Sequence, residues 1–327
     1  MKDTTTIRTT PEGLSNIIDS MSRGIAPDQI VRELVWNAIQ AIQRAGPPDP
    51  EGPEPEIRIS RSKRNPKKLV IANITGDPLT HEIANKHLLT VGNSGHGTEN
   101  NFGVGAKIAY LPRNKKGLTY LCRTPNMEFT MGKSETNIYG FLPYNDEGLE
   151  RVEPEDWTYE DSETEVILNG STPEEDTWAA ICSACSPSDK TDPNSGHQIA
   201  NYLKKKIWDS NQVAKVTVDI FTQEGDLKGP SKVMGCLGVK KSYENVEGSC
   251  AGQIETGDGT KIHYYARKFK AGKKVGTQHP AGFVATVHEN ELYIHPTSSE
   301  YGRKTLMRSF GIATHDKHVA IIIEPPE

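Results

Sequence analysis

From residue 28 to 44 the apolar positions recur at helical spacing. Ile30, Leu34, Ala38 and Ile42 form one stripe and Val31, Val35 and Ile39 the adjacent one. This predicts a core helix. Pro27 suits its first turn, and Gly46-Pro47-Pro48 ends it. The period then changes. Ile57-Arg58-Ile59-Ser60 alternates and Leu69-Val70-Ile71-Ala72 is a continuous apolar run, which together predict a hairpin with a basic tip. A short helix is expected over 81–90. Residues 91–106 hold five glycines and no apolar period, the mark of a functional loop. A helix is expected from Lys107, strands over 118–123, 127–131 and 165–168, and helices over 173–185 and 197–208. A second series of strands is expected over 214–221, 262–266, 282–288, 291–294 and 319–323.

With 327 residues the chain exceeds one usual core, so two domains are expected. The polar linker 186–196 places the boundary near 190, giving a first domain over 1–190 and a second over 191–327. The chain stops at Glu324-Pro325-Pro326-Glu327 directly after a strand, which suggests a piece of a longer protein. No apolar run approaches the roughly 20 residues of a membrane helix, and the start lacks a secretory core, so a cytoplasmic protein without a membrane partner is expected.

Charge adds little at first. The formal net charge is −5, which does not favour nucleic acid as a partner of the chain as a whole. Basic residues do crowd locally at Arg58, Arg61, Lys63, Arg64, Lys67 and Lys68, at Lys204-Lys205-Lys206, and over 268–274. Their plain reading is solvated hairpin tips and helix faces, and they permit weak, salt-sensitive DNA contact at most. Five cysteines make no disulfide framework. Cys182 and Cys185 form a single CxxC that lacks the further ligands of a zinc site, so it reads as a structural pair of thiols.

Two constellations carry chemistry. Glu33 and Asn37 stand one turn apart on the predicted helix, on a face that also carries Ala41. A carboxylate there can polarise a water as general base, and a carboxamide offers a neutral oxygen suited to Mg2+. Asn101-Phe102-Gly103-Val104-Gly105-Ala106-Lys107 is the second. Its glycines let backbone approach a phosphate, the following helix start presents free N–H groups, and Lys107 adds a cation.

In order and spacing these segments resemble the GHKL (Bergerat-fold) ATPase superfamily. Arg32 to Ala41 is similar to its N box, Phe102 to Lys107 to its glycine box, and Ser162 to Leu168 to the G-T-x-V-x-L strand that follows. Lys107 makes the glycine box most like that of the MORC branch. Gly282 to Tyr293, and Phe310-Gly311-Ile312 with the strand to Pro325, resemble stretches of the MORC transducer domain. One motif departs. The family's D-x-G-x-G is here Asn73-Ile74-Thr75-Gly76-Asp77, with Asn73 at the position that holds the adenine amino group and Asp77 as the alternative carboxylate. A carboxamide loses the charge-assisted part of that bond, about 1 kcal/mol.

The resemblance implies an α+β fold, a Bergerat α/β sandwich with a mixed sheet and helices on one face, followed by a smaller α+β transducer-type domain. It implies that ATP and Mg2+ are bound. Glu33 would be the base, Asn37 the metal ligand, Gly103, Val104 and Gly105 the phosphate loop with Lys107, and Thr164 an adenine contact, while 91–106 would form the lid. Arg303, Lys304 and Lys317 are candidates for the basic group that reaches the γ-phosphate. Slow hydrolysis and a nucleotide-dependent homodimer are expected. The alternative is a nucleotide-binding module with little or no turnover.

Overall fold

The two apolar stripes form α2 (Gln29–Arg44), and they bury Ile30, Val31, Leu34, Val35, Ala38, Ile39 and Ile42. At about 0.8 kcal/mol per buried CH₂ these side chains hold the helix in place far more strongly than its own propensity does. The computed structural model describes residues 10–47, 49–80, 83–84, 105–142, 156–186, 195–207, 214–222, 224–232, 239–240, 249–267, 282–288, 291–295, 300–314 and 316–326. Gly103 and Val104, most of the expected helix 81–90, the expected lid up to residue 104 and the basic run 268–274 lie outside the described residues.

Ahead of α2, a helix that the apolar pattern did not announce, α1 (Pro11–Ser22), begins at Thr10, whose hydroxyl accepts from Gly13 N at 3.1 Å. The hairpin expected next is β1 (Glu56–Arg61) and β2 (Leu69–Asn73). After it come the short α3 (Gly105–Tyr110) and a 3-10 turn at Leu111–Arg113. Then follow β3 (Leu118–Cys122), β4 (Met127–Lys133), β5 (Tyr139–Leu142), β6 (Thr164–Leu168), α4 (Thr177–Cys185) and α5 (His197–Leu203).

The fold class is α+β, in two compact units. The first comprises residues 1–199 and 216–231, the second 200–215 and 232–327. The first unit is built on an eight-stranded sheet of order β5-β4-β3-β6-β2-β1-β7-β8, in which β7 is Lys215–Phe221 and β8 is Leu227–Lys232. Every pairing from β5 to β1 is antiparallel. The strand expected at 214–221 therefore extends the first sheet beside β1, although it follows the polar linker. The chain passes between units at 199/200, 215/216 and 231/232 rather than once near 190.

The second unit carries a mixed five-stranded sheet of order β12-β11-β13-β10-β9. Its strands are β9 (Ser249–Glu255), β10 (Lys261–Arg267), β11 (Phe283–His288), β12 (Glu291–Ile294) and β13 (Val319–Glu324). β11 runs parallel to β13, and the other pairings between β9–β10, β10–β13 and β11–β12 are antiparallel. α6 (Glu300–Ser309) packs on this sheet through Met307 against Val284 and Ile321. No helix among the described residues is long and apolar enough to cross a membrane.

Candidate functional site

Strand register decides which side chains can meet. In the first sheet Ile57, Asn73, Thr164 and Cys122 form one row across β1, β2, β6 and β3. The next row, Arg58, Ala72, Glu165 and Leu121, points to the opposite face because successive side chains alternate. Asn73 and Thr164, distant in sequence, are thus cross-strand neighbours at the end of the sheet. Both are buried.

α2 approaches on that same face. Gly76 has φ +150°, and a Cβ there would lie 2.8 Å from Asn73 Nδ2 and 3.5 Å from Ala41 Cβ. Asp77 N donates to Ala41 O at 2.9 Å, which ties the loop after β2 to the exposed side of α2. Only glycine can lie between Asn73 and Ala41 at this distance and this φ. Gly76 thus belongs to the candidate site, although the sequence alone gives it no role. The signal for it was a glycine two residues before Pro78, directly after a buried strand.

The Asn73 carboxamide is oriented by chemistry. Nδ2 donates to Thr75 O at 2.9 Å. A carbonyl only accepts, so the nitrogen must lie on that side, which leaves Oδ1 and the second Nδ2 hydrogen to offer. Asn73 can therefore still accept at Oδ1, as a carboxylate at this position could, without its charge. Asp77 is placed differently. Its carboxylate faces Arg44 Nε at 3.4 Å on the exposed end of α2, and Asn73, not Asp77, stands opposite Thr164.

On α2 itself Asn37 is exposed and Glu33 half-buried. The Arg32 guanidinium pairs with Glu33 Oε1. Next to α2 packs α3, whose first turn carries Gly105 and Lys107. Lys107 is 5% exposed, and burial pushes its ammonium down to about 8. Tyr110, at the end of α3, is pushed up to about 12, chiefly by burial and further by the nearby Glu33 charge. Glu33 and Lys107 thus lie on neighbouring helices that pack together.

The structure thus brings together Ala41, Asn73, Gly76 and Thr164 by direct contact or pairing, and Glu33 sits on the helix against which α3 packs. Asn37 fits the Mg2+ role in kind: it is an exposed neutral oxygen donor, and Mg2+ retains most of its waters and needs few protein ligands. Among the described residues no group of three or more His, Cys, Asp or Glu could hold a metal by itself. Cys182 and Cys185 lie on α4 outside any disulfide, and Cys182 is fully buried. In the second unit Arg303 Nε donates to Asp316 Oδ2 at 2.9 Å, and that hydrogen bond holds the Asp316 carboxyl below its ordinary range.

The basic cluster of the hairpin is not a free patch. Arg58 pairs with Glu56 and Asp161 at 3.0 and 2.8 Å, and Arg64 with Glu128 and Asp156 at 2.6 and 3.1 Å. Arg61 lies over the Trp178 and Phe221 rings. Lys68 Nζ is buried and donates to the carbonyls of Asn169, Thr172 and Glu175. Lys63 and Lys67 stay exposed.

No protein-family model matches the chain, and no curated protein matches it. Among solved structures the chain is similar to the N-terminal domain of a DNA repair protein, at 10% identity over 95% of this chain and 88% of that one, with a TM-score of 0.47. It is also similar to the topoisomerase IV ATP-binding domain of Francisella tularensis in complex with a small-molecule inhibitor. There the identity is 11% over 93% of this chain and 79% of that one, with a TM-score of 0.40. Likeness of this degree leaves the functional reading to the residues of the site.

Proposed function

We propose that the first unit binds Mg2+–ATP at the face of α2 and hydrolyses it slowly, as an ATPase module of the GHKL kind. The observation that carries this reading is the convergence of Ala41 on α2, Asn73 at the end of β2 and Thr164 at the start of β6, closed by Gly76. The adenine amino group would donate to Asn73 Oδ1, with Thr164 beside it. Phosphates would extend along α2 toward Lys107, whose ammonium adds the charge they need. Glu33 would take a proton from the attacking water; one of its oxygens is held by Arg32. Bound Mg2+ would neutralise phosphate charge, with Asn37 as its protein ligand.

The module would couple nucleotide state to a change of conformation and to homodimerisation, with the second unit as transducer and Arg303, Lys304 or Lys317 reaching the γ-phosphate. We read this arrangement as one that resembles the MORC-type branch. Weak DNA contact would fall to exposed lysines such as Lys63 and Lys67. The second reading, binding with little turnover, is favoured by one observation: the base-end acceptor is a neutral carboxamide already committed on its other side to Thr75.

Calorimetric titration with a non-hydrolysable ATP analogue, with and without Mg2+, tests the proposal. Magnesium-dependent binding is expected, and it is lost in Asn37→Ala. Absence of binding at millimolar analogue would overturn the nucleotide reading.

A further inference from the structure

Among the described residues the two sheets end in four edge strands, and these are not alike. β5 and β12 have four residues each, and β8 carries exposed Lys228 and Pro230. Short length, lysine and proline are common means by which an edge is kept from pairing. β9 has none of them. It is seven residues long, its sequence Ser-Cys-Ala-Gly-Gln-Ile-Glu holds neither lysine nor proline, and its one charge is at the last position. Among the described residues no strand lies on its far side.

The direction of its main-chain groups follows from the hairpin it makes with β10. Thr256 N donates to Thr260 O at 2.9 Å, so this pair is hydrogen-bonded. Bonded pairs alternate along an antiparallel ladder, so Ile254–Ile262 and Gly252–Tyr264 are bonded pairs as well. The N–H and C=O groups of Ala251, Gln253 and Glu255 therefore point the other way, out from the rim of the sheet. All three residues are exposed.

One face of this rim is apolar. Ile254 lies opposite Ile262, which packs into the cluster under α6, so the even-numbered positions of β9 share the α6 face. There Ile254 is 56% and Tyr264 36% exposed, and Cys250 is exposed too. The Tyr264 phenol lies over Gly252, where it takes the place of a Cβ. The ring thus reaches from β10 to the rim.

β9 of a second copy fits this edge. A twofold axis through Gly252, normal to the sheet, runs the two strands antiparallel. Ala251 then exchanges both main-chain hydrogen bonds with the partner's Gln253. Glu255 stands opposite the partner's Ser249, so the one charge of the strand does not meet its own copy. Ile254 lies opposite the partner's Cys250 on the same face. Adjacent strands are about 4.8 Å apart, so the two Tyr264 rings meet above the paired glycines.

We propose that the second unit forms a homodimer by antiparallel pairing of β9 with β9 of a second copy, which continues the five-stranded sheet through the contact. This dimer needs no nucleotide and does not rest on the nucleotide reading.

The test is sedimentation equilibrium of the full chain without nucleotide or Mg2+, where a monomer–dimer equilibrium at micromolar concentration is expected. Ala251→Pro removes an N–H that makes no bond within the sheet, a position where an edge strand tolerates proline. It should leave urea unfolding unchanged and weaken the dimer about ten- to a hundredfold, since each copy loses a donor. The register is read by Ile254→Cys. This variant sets a thiol opposite the partner's Cys250 in a non-hydrogen-bonded pair, whose Cα spacing of about 4.5 Å a disulfide can span. Mild oxidation should crosslink it, and the crosslink should vanish when Cys250→Ser is added. A chain that stays monomeric, a dimer indifferent to Ala251→Pro, or a dimer that Ile254→Cys fails to crosslink would each overturn the pairing. A dimer that forms only with nucleotide would overturn it too, while sustaining the nucleotide reading. Should the ATP analogue fail to bind, the nucleotide-free dimer still decides this proposal, so the two failures are distinguishable. Should Ala251→Pro also lower the unfolding midpoint, the crosslink decides alone.

Discussion

The two faces of the first sheet bury polar side chains to opposite ends. On the face away from α2, Glu165 is fully buried and its carboxylate accepts from Tyr159 N, Thr158 N and Ser162 Oγ at 2.8, 3.1 and 3.0 Å. Tyr159 OH donates to Asp219, and Trp157 packs on Val70, Leu121 and Ile167 under the Arg123 guanidinium. That face is covered by Trp157, Tyr159 and Ser162 of the segment 157–162. On the face toward α2, Asn73 keeps one acceptor unspent, and Asn37 stands exposed. A buried polar group that is fully partnered stabilises and specifies the fold, while one that is half-partnered at the end of a sheet is available to a ligand. Closed-face substitutions should therefore cost stability, and open-face substitutions should cost binding or turnover.

The largest effect expected is on the closed face. Glu165→Ala leaves two backbone donors, Tyr159 N and Thr158 N, without their acceptor, while Ser162 Oγ keeps Tyr159 O, and should cost about 2–6 kcal/mol in urea unfolding, at roughly 1–3 kcal/mol per orphaned group. Analogue affinity of the fraction still folded should not change. If unfolding is hardly altered, the closed face is not the structural half of the pair.

Next comes Glu33→Ala, which should keep analogue binding and lower turnover by at least about a hundredfold. Unchanged turnover would remove Glu33 as the base and leave the binding-only reading.

Gly76→Ala blurs the division, because this residue serves both the fold and the site. Its Cβ would press on Asn73 from a backbone conformation that favours glycine. A loss of about 1–2 kcal/mol in stability and a similar loss in analogue binding are expected. Full retention of both, by calorimetry and unfolding, would mean that Gly76 does not form the wall.

The smallest effect is a pH response, and its two parts have opposite sign. Lys107 is held down to about 8 against an ordinary 10.5. Between these values the unfolded chain binds the proton that the folded chain has released, so this residue's contribution to stability rises with pH there. The ammonium is the form that attracts phosphate, so analogue affinity should fall as pH rises through about 8. Lys107→Met should flatten both trends in parallel titrations. A trend that survives this substitution belongs to another group.

The elements that carry the candidate site were legible because their signals are local. The α2 stripes sit within one helix, and they fix where Glu33, Asn37 and Ala41 face. The hairpin of β1 and β2 follows from a change of period over adjacent residues. What escaped reading depends on distant partners. Arg58 and Arg64 look solvated in sequence, yet Asp161, Glu128 and Asp156 meet them from segments far along the chain. β9 was missed because Cys250, Ala251, Gln253, Ile254 and Glu255 are exposed, so the strand has no buried face to impose alternation. α6 was missed because Met307 is the one buried side chain among its described residues, too little to set a period. α1 did carry a start signal in Thr10-Pro11, but Ile17 and Met21 lie exposed and obscure its stripe.

The burial of α2 also has a consequence for time. Seven apolar side chains anchor this helix in the core, so its amides open only when the unit unfolds. Hydrogen exchange along α2 should be among the slowest in the molecule and should barely respond to nucleotide. Glu33 and Asn37 thus ride on a part of the chain that keeps still, and the motions of the proposed catalytic cycle would fall to segments other than this helix.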